Sequence, residues 1–158
     1  LRYKKWFPVG IFSFLIPFYI SYYPKKLDVK PQVISMQDIL STTIVFTNEN
    51  AYKIKNLNIN LKSSIDADFE RGITLQGGPV SFGHFIKEIN PSDSKHINTD
   101  KRSFIGIYEG AIYKKIRKLS IDVTYSFETP FYYPNIKNEV VSFKGYLKPN
   151  GELVYVYN

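Results

Sequence analysis

Residues 6–23, WFPVGIFSFLIPFYISYY, contain no charged side chain, and basic residues bracket them: Arg2, Lys4 and Lys5 before, Lys25 and Lys26 after. A helix rises about 1.5 Å per residue, so roughly 20 apolar residues cross a hydrocarbon core of about 30 Å. The stretch meets the short end of that requirement, and its edges extend it. Trp6, Tyr19, Tyr22 and Tyr23 are ring types that settle at headgroup level, and Lys25 and Lys26 can carry their charge outward on apolar stems. Pro8 falls near the start, where a missing N–H matters little, while Pro17 kinks the helix or ends its regular part. One N-terminal transmembrane helix is therefore expected over residues 6–23, with residues 1–5 as its basic flank.

Three alternatives fit less well. A cleavable signal peptide needs a small-x-small site, and residues 20–24, ISYYP, offer none. A buried core helix ordinarily carries a polar stripe, and Ser13 is the only polar residue before Tyr19. An interfacial helix needs a charged face. The chain opens on Leu1 rather than Met, which leaves room for upstream residues and a further span.

Beyond this stretch about 130 residues remain, enough for one domain. The chain of 158 residues carries 21 basic and 14 acidic residues, a net charge of +7. Five of the basic residues flank the apolar stretch and the first acid is Asp28, so the remainder is close to neutral. The basic excess is a membrane-flank effect and does not mark a nucleic-acid binder, which would place it on the folded domain. The absence of cysteine excludes disulfides, thiol catalysis and cysteine-ligated metals. Thirteen Tyr and twelve Phe, with frequent β-branched residues, favour sheet.

In chain order, residues 24–31 read as a stiff linker between Pro24 and Pro31. A first strand is expected from Gln32 to Met36, with Leu27 and Val29 able to join it. Residues 41–48, STTIVFTN, form a strand stopped by Asn48, Glu49 and Asn50. Residues 56–62, NLNINLK, alternate, with Leu57, Ile59 and Leu61 on one face and Asn56, Asn58, Asn60 and Lys62 on the other. Residues 63–79 look irregular, with a short strand at Ile73, Thr74 and Leu75 and a loop at Gly77, Gly78 and Pro79. Residues 80–89 hold a further strand with Gly83 as its weak point. Asn90, Pro91, Ser92 and Asp93 make a turn into a short edge strand at residues 94–99. Residues 104–113 are ambiguous between helix and strand. The alternation in residues 119–127, LSIDVTYSF, is the cleanest in the chain. Residues 129–134, TPFYYP, form a rigid aromatic loop. Residues 139–147 and 153–157 are strands, joined by the hairpin signal Asn150-Gly151. About seven to nine short strands without a convincing helix suit an antiparallel β-sandwich over residues 32–158.

The run STTIVFTNENAYKIKNLNINL (residues 41–61), with EINPSDSKHINTD and LSIDVTYSF after it, resembles the layout of immunoglobulin-like domains in bacterial surface and periplasmic proteins. The resemblance implies a strand ending in an Asn-rich turn followed by its alternating partner, a Pro turn into an edge strand, and a Tyr-bearing strand near the end. The Cys–Trp–Cys core of antibody domains is missing, since Trp6 is the only Trp. The resemblance covers most of residues 28–158. It implies a mainly β, immunoglobulin-like fold and no activity, because such architectures host many functions.

Few residues carry chemistry. His84 and His96 are the only histidines and lack metal-ligand spacing. Asp66, Asp68 and Glu70 resemble half of a calcium loop, but the closing position is Gly77 where a Glu is needed. Lys114 to Lys118 is a basic run that meets anionic lipid or simply leads into the next strand. Phe127, Phe131, Tyr132 and Tyr133 form the leading candidate contact surface, or else cap one end of the core. No phosphate loop, GxSxG or HExxH motif is present, so neither an enzyme nor a cofactor is expected. The expectation is a single-pass membrane protein, anchored by Trp6, Pro17, Tyr22, Tyr23, Lys25 and Lys26. Its β domain would lie outside the cytoplasm and work by protein–protein contact in a membrane or envelope assembly. A tethered small-ligand or calcium module is the alternative.

Overall fold

The computed structural model describes residues 23–33, 42–69, 74–76, 80–99, 113–130, 133–150 and 152–158. Nine strands are described: β1 (Asp28–Val33), β2 (Thr42–Thr47), β3 (Ile54–Phe69), β4 (Thr74–Gln76), β5 (Val80–Ile89), β6 (Ser94–Thr99), β7 (Tyr113–Glu128), β8 (Ile136–Leu147) and β9 (Leu153–Tyr157). They form two antiparallel sheets, with no helix among the described residues. The small sheet has the order β1-β2-β6. The large sheet has the order β4-β3-β7-β8-β9, and β5 also pairs with β3, ahead of β4 along the same edge.

Alternation places the core. Leu57, Ile59 and Leu61 of β3 and Ile121, Val123, Tyr125 and Phe127 of β7 are buried and join one cluster with Leu27, Val29, Ile44, Phe46 and Ile97 from the small-sheet side. Two sheets that share one apolar cluster are compatible with a β-sandwich. Three tyrosines fasten them together. The Tyr125 hydroxyl accepts from Leu27 N at 3.1 Å, the Tyr157 hydroxyl donates to Val29 O at 2.8 Å, and the Tyr155 hydroxyl bonds Thr42 Oγ1 at 3.0 Å. Burial pushes the phenols of Tyr125 and Tyr155 up to about 12.

The structure revises several sequence expectations. The linker expected over residues 24–31 gives way to β1 at Asp28. The alternating strand after the Asn-rich turn is not the ladder partner of β2. β2 pairs β1 and β6, whereas β3 lies in the large sheet. Asn48 explains the crossing. Its Nδ2 donates to Tyr52 O and Ile89 O at 2.9 and 3.1 Å, and its backbone bonds Ser92 and Asp93, tying two sheet-crossing turns together. The irregular region expected from Ser63 is instead strand to Phe69, and the basic run lies inside β7, not ahead of it. The register sets Asp66 opposite Lys118 and Asp68 opposite Lys115.

Candidate functional site

Asp66 and Asp68 lie within β3, two residues apart and half-buried, so they belong to a strand and not to a calcium loop. Glu70 lies outside the described residues, among which no cluster of three or more metal-ligating side chains occurs. His84 and His96 stand on β5 and β6, in different sheets, and the His84 ring packs edge-on against Phe82. Phe127 is a core residue, 2% exposed and stacked on Tyr125 at 6.3 Å. Phe131 and Tyr132 lie outside the described residues. Tyr133 stacks on Tyr52 at 6.0 Å and meets the edge of Tyr23 at 6.5 Å. Burial pushes Tyr52 up to about 12.

Trp6, Pro17 and Tyr22 also lie outside the described residues, and among the described ones no helix is long and apolar enough to cross a membrane. The backbone at Lys25 is firmly seated. Lys25 N donates to Asn50 Oδ1 at 2.7 Å and its carbonyl accepts from Asn50 Nδ2 at 3.2 Å. Asn50 is itself buried and held by Asn48 Oδ1. Lys26 Nζ pairs with Glu139 at 2.7 Å.

Two exposed surfaces stand out. The first is the β8–β9 hairpin. Among the described residues seven large hydrophobics are exposed, and five of them (Val140, Tyr146, Leu147, Val156 and Tyr157) are on these two strands. β9, LVYVY, has no charge and no proline, and β8 is its only ladder neighbour among the described residues. Lys148 N bonds Glu152 O and Asn158 N bonds Ser142 O. Antiparallel alternation then turns the backbone groups of Leu153, Tyr155 and Tyr157 toward the open edge. Edges are usually blunted by charge or proline, and this one is not.

The second is a depression of about 480 Å³ on the solvent face of the large sheet, lined by Asn58, Asn60, Gly83, Phe85, Thr124, Ser126 and Asn138, with Ile59 and His84. It lies across four strands. Phe85 pairs Asn58 and Asn58 pairs Ser126, while Gly83 pairs Asn60 and Asn60 pairs Thr124. Asn138 N donates to Ser126 Oγ at 2.9 Å. Bulges shape its end: Asn56 and Asn138 have φ of 51° and 52°, a left-handed conformation that Asn tolerates, at register shifts in β3 and β8. The alternation in residues 56–62 exposed Asn58 and Asn60 to prediction. Their meeting with Gly83, Phe85 and Ser126 depends on strand register, for which one sequence gives no signal.

No known protein family, curated protein or solved structure matches the chain.

Proposed function

We propose that this chain is a single-pass membrane protein whose immunoglobulin-like β domain, on the extracytoplasmic side, works by protein–protein contact as an accessory or structural subunit of a membrane or envelope assembly. The observation that carries the contact role is the concentration of exposed apolar side chains on β8 and β9 beside an uncharged open edge. Exposed apolar side chains beside an edge that no described strand pairs favour contact with a partner. Val154 and Val156 lie opposite Tyr146 and Lys144 on one face of the hairpin, so a partner strand added to β9 would extend that face. The clamped entry at Lys25 and Asn50 supports the tethered part of the proposal. An anchor just ahead of this entry would raise the domain's effective concentration toward a partner in the same membrane.

The test is purification of the full chain from its native membrane in mild detergent, with co-purifying proteins identified by mass. One partner in near-equal amount is expected, and Val156→Lys should release it without altering the circular dichroism spectrum. Recovery of the chain alone would defeat the subunit role. Protease protection in sealed vesicles tests the orientation, and a domain shielded on the cytoplasmic side would reverse it.

A further inference from the structure

We infer that the depression on the solvent face of the large sheet is a binding site for a short, uncharged oligosaccharide, away from the β9 edge and independent of the protein-contact role. Its chemistry points there. None of the lining residues is Asp, Glu, Lys or Arg, which disfavours a cation, a phosphate or an acidic peptide as the occupant. Apart from His84, the polar side chains are amides and hydroxyls, which both donate and accept, as a neutral polyol requires. Several are free to do so. Asn58 uses its Nδ2 on Asn56 O, Asn60 uses its Oδ1 on Ser81 Oγ, and Ser126 holds Asn138. Asn58 Oδ1, Asn60 Nδ2 and Thr124 Oγ1 have no partner among the described residues.

An apolar platform stands beside these groups. Phe85 is 61% exposed at one end of the row, and an aromatic ring set against hydroxyl-binding groups offers a surface for the C–H face of a pyranose. Gly83 makes the room. A Cβ built on it would meet nothing nearer than Ile59 O at 3.8 Å, so packing does not demand a glycine there. Glycine inside a strand weakens it, and close approach by a ligand is one reason a strand keeps one. Strands lie about 4.8 Å apart, so the row from β5 to β8 spans about 14 Å, the length of a few sugar rings. The volume also falls within the ordinary range of ligand sites, about 300–1,000 Å³.

The experiment is saturation-transfer difference NMR on the full chain in a detergent without a sugar headgroup. The probes are cellotetraose, maltotetraose, mannotetraose and chitotetraose, each at millimolar concentration. At least one is expected to show transfer. Phe85→Ala and Gly83→Val should each weaken that binding about tenfold or more, about 1.4 kcal/mol, and Phe85→Trp should retain it. Both positions are exposed and have space, so the variants are expected to fold, and circular dichroism checks this. Absence of transfer from all four saccharides would overturn the inference. So would equal binding by the Phe85→Ala and Gly83→Val variants, preference for the acidic tetragalacturonate, or self-association of the chain that Phe85→Ala abolishes.

Discussion

Two glycines in the large sheet show how differently its faces are used. Gly145 of β8 is buried opposite Leu119, and a Cβ there would fall 2.9 Å from Leu119 Cδ2. Gly83 of β5 is exposed, and the nearest atom to its Cβ would be 3.8 Å away. The first glycine is required by a core packed to the density of a crystal. The second leaves a space that no described residue fills. The inner face is thus determined by the need to bury side chains, while at Gly83 the outer face is free of that constraint.

Substitutions should separate the two faces by size of effect. Leu61→Ala empties a fully buried site and should cost about 2–5 kcal/mol, measured by urea denaturation. Gly145→Val should cost about 1–3 kcal/mol through collision with Leu119. Alkali should loosen the seam between the sheets. Tyr125 and Tyr155 titrate near 12 in the fold against about 10 in an unfolded chain, so the unfolded state releases protons first. Their contribution is complete below pH 10 and is lost as pH rises from 10 through 12. Parallel titrations by circular dichroism and tyrosinate absorbance should show unfolding in that window. Gly83→Val should leave stability within about 0.5 kcal/mol or raise it slightly, since a β-branched residue suits an open strand position. A loss on the scale of Gly145→Val would erase the distinction between the faces.

Much of the inner face was legible in the sequence. Leu57, Ile59 and Leu61, and the alternation from Leu119 to Phe127, announce buried stripes because a strand repeats every two residues. Asn150-Gly151 announces the β8–β9 hairpin for an equally local reason. The continuation of β3 through Asp66 and Asp68 was hidden because acids suggest loop. Its place is set by pairing with β7, where Lys118 and Lys115 stand opposite, about fifty residues away in the chain. The role of Asn48 and Asn50 was hidden for a similar reason. An Asn-rich turn looks the same whether it closes a hairpin or crosses between sheets, and the bonds to Ile89 and Lys25 decide it. The groove was least legible, since it draws on four strands and two bulges. Phe127 was open to two readings, since it ends the alternating stripe that begins at Leu119 and also borders the aromatic Pro loop.

The central claim is that β8 and β9 form the working contact surface. Photo-crosslinking in the native membrane tests it most directly, with the reactive side chain placed at position 156 on β9 or at position 95 on the exposed edge strand β6. A single adduct of defined mass from position 156, and none from position 95, is the predicted result. No adduct from position 156, or the same adduct from both, would contradict it.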